Sequence, residues 1–229
     1  MLNRSKRLFL HEEIMLLALR DEKGTVEPGS TYTYAIGGAI LAELLLAGRI
    51  AVEPSKRQLV TPVRSEPVDE PVLDECLAKI VTASRRASAQ TWVQRFADLK
   101  NLHHRVAGGL CDRGILRADE QTVLLIFHHK VYPEIDPRPE REMIERFRRA
   151  IFGEAARVDP RTVILISLAN SADLLSIPFR RRDLSTQKAR IAQLTGGELL
   201  GKATAEAVQA AQAAVDIACM IPALAAMSS

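Results

Sequence analysis

The strongest structural signal in the chain lies at residues 38–50, which read GAILAELLLAGRI. Apolar residues recur there at helical spacing up to Gly48, which stands where a helix needs a left-handed residue just beyond its end. Strand-like residues follow at 51–53 and 57–60. Residues 102–116, which read LHHRVAGGLCDRGIL, repeat this plan before a strand-like run at 121–127. The sequence therefore predicts two units in which a helix runs into a short β-hairpin.

A helix followed by a hairpin is typical of winged-helix DNA readers, and also of helical domains that use hairpins as contacts. A winged-helix reader needs a recognition helix with exposed Arg, Asn or Gln side chains. Residues 39–47 are almost wholly apolar, so we expect that helix to be buried. A net charge of +3 over 229 residues is also too small to require nucleic acid. We expect no nucleic-acid partner, and a winged-helix-like binder is kept as an alternative.

The remaining pattern is mainly helical, with apolar stripes at a period of about 3.6 residues. The predicted helices cover residues 8–20, 34–47, 72–84, 89–97, 99–113, 141–152, 162–175, 184–194 and 204–220. The run 162–169 is also legible as a buried strand, but the apolar stripe continues past strand length and favours a buried central helix. The predicted fold is mainly α: a single domain over residues 8–229 with a central helix bundle and two short hairpins. Residues 1–7 form a short basic tail.

The chain offers little sign of catalysis or of metal binding. Cys76, Cys111 and Cys219 are far apart and odd in number, which indicates neither a disulfide framework nor a structural zinc site and fits a reducing cytoplasm. The run HEEIM at 11–15 has Met15 where a zinc protease needs its second histidine. We predict a protein that is not an enzyme and has no catalytic residues, cofactor or metal. The most apolar segment, 213–227, is shorter than the roughly 20 residues that span a bilayer.

Basic residues gather at the start of the helix predicted at 99–113, the helix of the second helix–hairpin unit. Lys100 and His103 share one face at a spacing of three residues, and Arg105 lies on the neighbouring face. Such a cluster suits a phosphate group, although a solvated helix face explains the same spacing. The run Arg180-Arg181-Arg182 carries the densest positive charge and by itself indicates solvated surface.

Several stretches together resemble one known family. They are LFLHEEIMLLAL at 8–19, ILAEL at 40–44 with GRI at 48–50, QTW at 90–92, RVA at 105–107 with GIL at 114–116, and DPRT at 159–162 with ANSADLL at 169–175. In this order they resemble the Golgi phosphoprotein three family, the phosphoinositide-binding adaptors that include the yeast vacuolar-sorting relative. The likeness extends from about residue 8 to 195.

The resemblance implies a shallow basic pocket on a membrane-facing surface that holds the headgroup of phosphatidylinositol 4-phosphate. Two basic positions of that pocket fall on Lys100 and His103, and a tryptophan and an arginine of the family fall near Pro28 and Gly37 and are lost. Tyr32 or Tyr34 would have to supply the aromatic side chain, so reduced lipid selectivity is expected. His103 is largely neutral at pH 7 by its reference pKa of about 6.5, so its contribution should grow as pH falls.

The resemblance also implies an apolar hairpin tip that contacts a membrane or a second subunit, matched by Leu124, Leu125, Ile126 and Phe127. The family's long basic N-terminal tail, which recruits coat proteins, has only Arg4, Lys6 and Arg7 as its counterpart. The expected protein is cytoplasmic and peripherally membrane-associated, with an anionic phospholipid surface as its partner, a homo-oligomer through the second hairpin, and an unidentified protein client. An accessory protein or enzyme of a small-molecule pathway that uses the same pocket is the second alternative.

Overall fold

The fold is described by a computed structural model that covers residues 7–19, 24–26, 32–53, 55–123, 127–154 and 157–196. Its helices are α1 (Leu10–Ala18), α2 (Tyr32–Leu46), α3 (Pro71–Val81), α4 (Ala89–Ala97), α5 (Leu102–Asp112), α6 (Arg138–Phe152), α7 (Pro160–Ser171), α8 (Arg181–Thr186) and α9 (Lys188–Thr195), with a 3₁₀ turn at Leu174–Ser176. Its strands are β1 (Ile50–Val52), β2 (Val60–Pro62), β3 (Asp119–Val123) and β4 (Phe127–Val131). The mainly α fold with two small hairpins is the predicted one.

The centre of the domain is built from α1, α2 and α7, which pack against one another. Residues 35–45 of α2 and 162–169 of α7 are buried on every side, because these helices are apolar all round. The helical interpretation of 162–169 is therefore confirmed. Burial of α2 also rules it out as a recognition helix that reads DNA.

Both predicted helix ends are confirmed at their glycines. Gly48 and Gly114 have φ angles of +63° and +71°, a conformation that costs glycine little. The N–H of Arg49 donates to the carbonyl of Leu44 at 2.9 Å, and the N–H of Ile115 donates to that of Leu110 at 3.0 Å. These bonds close the last turns of α2 and α5 and direct the chain into β1 and toward β3.

Each hairpin is a separate two-stranded antiparallel sheet. In the first, Ile50 lies opposite Pro62 and Val52 opposite Val60. In the second, Asp119 lies opposite Val131 and Val123 opposite Phe127. The second predicted hairpin is therefore confirmed, and the strand-like run at 121–127 is divided between β3, which ends at Val123, and β4, which begins at Phe127.

Charged residues of α1 and α2 are buried in ion pairs with arginines from later helices. Glu12 accepts from Arg113, the residue just after α5, at 2.7 Å, and Glu13 pairs with Arg146 of α6. Burial raises the pKa of Glu13 more than the Arg146 guanidinium lowers it. Glu12 and Glu13 lie in a stretch that carries the family resemblance, so part of that likeness reflects the packing of this bundle.

Other predicted boundaries differ from the structure. The helix predicted at 99–113 begins only at Leu102, and the one predicted at 184–194 is two helices, α8 and α9, that meet at Gln187. Arg181 and Arg182 of the basic run belong to α8. The predicted helix at 204–220 and most of the predicted N-terminal tail lie outside the described residues.

Candidate anion-binding site

The turn between α4 and α5 sets up the start of α5. Asn101 has a φ of +57°, a left-handed conformation that asparagine tolerates better than most residues. The N–H of Leu102 donates to the carbonyl of Leu99 at 3.1 Å, and the helix begins there. Lys100 is therefore an exposed residue of the turn. The predicted helical face shared by Lys100 and His103 is wrong, since the left-handed residue between them interrupts the helix.

The N-terminus of α5 is suited to an anion. Asn101 makes no side-chain capping bond, and the first turn contains no acidic residue. The first N–H groups of a helix have no partner within the helix and carry a partial positive charge. With Lys100 just before it, this terminus presents both backbone donors and a full positive charge to solvent.

His103 and His104, in the first turn of α5, lie side by side with ring centroids 3.7 Å apart. A hydrogen bond of 2.8 Å joins His104 Nδ1 to the hydroxyl of Tyr132. Burial, and then the neighbouring His104, lower the pKa of His103, and burial and Lys130 lower the pKa of His104. Protonation of His103 in the free protein therefore needs a lower pH than the reference value suggested.

Arg105 points toward α3. Its Nη2 lies 2.5 Å from Glu75 Oε2, and Glu75 also contacts Lys79 at 3.5 Å. Burial of Glu75 acts to raise its pKa, but Arg105 and Lys79 lower it by more. The charge of Arg105 is thus already compensated, and the structure does not join it to Lys100 in one open cluster.

The two tyrosines lie in the first turn of α2 and do not line the groove that contains Lys100. Tyr32 is only 9% exposed, and burial raises the pKa of its hydroxyl. Tyr34 is partly buried against the apolar core. Tyr32 is therefore not available as an aromatic wall for a headgroup, and Tyr34 offers only part of its ring.

A shallow groove of about 780 Å³ lies beside Lys100, where α3 and α4 end. We call it the α3–α4 groove. Its lining residues are Lys79, Thr82, Ala83, Ser84, Arg85, Trp92, Arg95, Asp98, Leu99 and Lys100. Lys79, Arg85 and Arg95 were not among the predicted site residues. Their spacing along the sequence gives no hint that they meet, because they come from α3, from the loop after it and from α4.

Other predicted contact residues lie elsewhere. Arg180 lines a separate groove of about 560 Å³ with Arg148 and Phe179, and Arg181 lies 2.5 Å from Asp173. Leu124, Leu125 and Ile126 lie outside the described residues, and Phe127 is described only as the first residue of β4. The membrane or oligomer role of this hairpin stays a prediction.

Within the described segments, no three His, Cys, Asp or Glu side chains come together in a way that would hold a metal ion. None of the described helices is long and apolar enough to cross a bilayer.

Comparison with known proteins identifies the family to which this fold belongs. The family model for Golgi phosphoprotein 3 (GPP34) matches residues 10–211. The chain is also similar to vacuolar protein sorting-associated protein 74 of Eremothecium gossypii, with 27% identity over 224 residues, covering 81% of this chain and 67% of that protein. Since the family match spans most of its length and every described helix, this chain belongs to the Golgi phosphoprotein 3 (GPP34) family.

Proposed function

We propose that this protein is a cytoplasmic peripheral membrane protein that binds anionic phospholipid headgroups at the N-terminus of α5 and serves as an adaptor. The observation that carries the proposal is the basic, acid-free start of that helix, with Lys100 exposed before it. Family membership supports it, because Lys100 and His103 fall on the basic pair implied by the resemblance. The name of the relative connects that protein with vacuolar protein sorting.

Binding of this kind is additive and salt-sensitive. Each Lys or Arg close to an anionic bilayer contributes about 1 kcal/mol, and the contribution falls off within a Debye length of about 10 Å at 0.1 M salt. Lys100 supplies one such charge, and the first N–H groups of α5 add a partial charge beside it. One basic residue alone gives marginal membrane attachment, so other residues of the protein surface must contact the membrane at the same time as Lys100.

We expect little discrimination among anionic lipids. Selective recognition of one inositol phosphate requires several fixed donors and usually an aromatic wall for the ring. His103 stands in for one basic position, Gly37 removes another, and Tyr32 is buried. Binding to phosphatidylinositol 4-phosphate should therefore exceed binding to other anionic phospholipids by less than about tenfold, or 1.4 kcal/mol.

Liposome co-sedimentation tests the proposal. The full chain is mixed with vesicles of phosphatidylcholine alone, or with added phosphatidylglycerol, phosphatidylserine or phosphatidylinositol 4-phosphate, at low and high salt. We expect sedimentation with every anionic vesicle and release by salt. Lys100→Glu should weaken binding by at least about fivefold, from the loss of about 1 kcal/mol.

Arg141→Glu is the matched control, because Arg141 is an exposed residue of α6 outside the candidate site and the substitution changes net charge equally. Equal loss in both variants would mean that only net charge matters. Strong, salt-insensitive binding to pure phosphatidylcholine would contradict the electrostatic mechanism.

A further inference from the structure

The α3–α4 groove contains basic side chains that the family resemblance does not explain. Within the described segments, no carboxylate lies within ion-pair distance of Arg85, Arg95 or Lys100. Several other arginines are paired with carboxylates, as Arg86 is with Glu53 and Arg161 with Glu43. The groove therefore collects positive charge that the fold has left uncompensated.

The lining of the groove favours an anion of phosphate size or larger. Four basic residues, Lys79, Arg85, Arg95 and Lys100, line the groove together with one carboxylate, Asp98, and of the four Lys79 is paired with Glu75 at 3.5 Å. Arginine presents several N–H donors in a rigid plane that matches two phosphate oxygens, and lysine adds a mobile point charge. A volume of about 780 Å³ accommodates a phosphorylated headgroup, and not only a single ion.

Arg95 is held in place before any ligand arrives. Its guanidinium carbon lies 4.8 Å from the centre of the Trp92 ring, a cation–π arrangement. Stacking orients the guanidinium plane and leaves its N–H edges free to donate. Trp92 is 2% exposed, and its indole Nε1 has no hydrogen-bond partner among the described residues.

The charge of a helix end accounts for only two of the four basic residues that line the groove. Lys79 and Arg95 stand in the last turns of α3 and α4, where a positive charge offsets the negative end of the helix dipole. Arg85 lies in the loop after α3, and Lys100 lies in the turn after α4, outside both helices. Their presence in the same groove needs another reason.

We propose that the α3–α4 groove is a second anion-binding site that holds a phosphate group of a phosphorylated headgroup next to the α5 site. Lys100 is common to both, so the inference deepens the proposed function and rests on it in part. The same chemistry is offered by a lipid headgroup and by a free inositol phosphate. Val81 favours the membrane source, since it is a 40% exposed apolar residue next to Thr82 of the groove lining.

Trp92 provides a direct measurement, because it is the only tryptophan of the chain. Titration of the full chain with soluble inositol 1,4,5-trisphosphate should change its fluorescence, because the bound phosphate would contact Arg95, which lies over the ring. Arg85→Gln should weaken this response by about fivefold, while Arg141→Gln, an exposed position of α6 outside both sites, should leave it unchanged. A response with the same midpoint in wild type and Arg85→Gln would overturn the proposal.

Vesicle binding distinguishes the two sources of phosphate. With phosphatidylcholine vesicles that contain phosphatidylinositol 4-phosphate, Arg85→Gln and Arg95→Gln should each bind about fivefold more weakly than wild type. Arg141→Gln is the control for the loss of one charge. Loss of binding to both vesicles and inositol phosphate supports a site for the phosphate group itself. Loss of vesicle binding alone supports a site that works only at a membrane surface.

Failure of this inference is separable from failure of the proposed function. If Arg85→Gln and Arg95→Gln bind vesicles like the Arg141→Gln control while Lys100→Glu does not, the groove is not a binding site and the α5 site stands. If Arg95→Gln lowers only the melting temperature, Arg95 serves the end of α4 and the inference is wrong. If Lys100→Glu also binds like wild type, both proposals are wrong.

Discussion

Removal of one partner from the ion pair between Glu43 and Arg161 is predicted to destabilise the fold strongly. Arg161 Nη1 donates to Glu43 Oε1 at 2.6 Å, and Arg161 Nη2 donates to Glu43 Oε2 at 2.8 Å. The same Oε2 accepts from the N–H of Leu10 at 2.8 Å. Leu10 is the first residue of α1, where the N–H has no partner within the helix, so one carboxylate of α2 joins α1 to α7.

Arg161→Met removes the guanidinium and keeps an aliphatic side chain. The Glu43 side chain is 9% exposed, so its carboxylate is buried. The substitution removes both contacts from Arg161 and leaves only the N–H of Leu10 among the three donors described above. Breaking a buried pair in this way costs about 3–5 kcal/mol. For a domain of this size, 1 kcal/mol corresponds to about 2–4 °C, and we expect the melting temperature to fall by about 6–20 °C.

The double variant Glu43→Leu/Arg161→Met should be less destabilised than Arg161→Met alone. It leaves no buried charge behind, and replacement of a buried pair by apolar residues is often neutral. Its remaining cost is the N–H of Leu10, which loses its acceptor, at about 1–3 kcal/mol. Urea unfolding followed by circular dichroism measures the stability of wild type, Arg161→Met, Glu43→Leu and the double variant.

Arg181→Gln is the control, since its pair with Asp173 is exposed on both sides and should contribute little. A loss below about 1 kcal/mol for Arg161→Met, or a double variant as unstable as the sum of its single variants, would refute the buried-pair argument.

Two further predictions concern the candidate surfaces. The pKa values of His103 and His104 are lowered from 6.5 in the folded protein. At a pH just below 6.5 the unfolded chain therefore binds more protons than the folded protein, and the free energy of unfolding should fall as pH drops below 6.5. Urea midpoints at about pH 7.5 and about pH 5.5 measure this loss of stability. The loss should be smaller in His103→Gln. If His103→Gln loses as much stability as wild type between the two pH values, His103 is not its source. Leu125→Asp should reduce oligomer size or vesicle binding, because only one face of a short surface hairpin can pack on its own domain. Light scattering and co-sedimentation check it, and unchanged size with full lipid binding would rule out a contact role for the hairpin.

The sequence by itself determined the elements whose signals are local. Gly48 and Gly114 mark helix ends because their left-handed conformation is a property of single residues. The apolar surface of α2 and of α7 predicted complete burial without knowledge of their neighbours. The order of short motifs was enough to identify the family, and in the structure these motifs lie in or next to α1, α2, α4, α5 and α7.

Only the tertiary structure decided which charges meet. Glu12 and Arg113 are 101 residues apart in sequence, and Glu43 and Arg161 are 118 apart, so no periodicity connects them. The same reason hid the α3–α4 groove, in which Arg85 and Lys100 come together from separate turns. Nor does the sequence show that the charge of Arg105 is compensated, because its partner Glu75 lies on another helix, α3. Charge acts through distance in space, and the fold alone sets that distance.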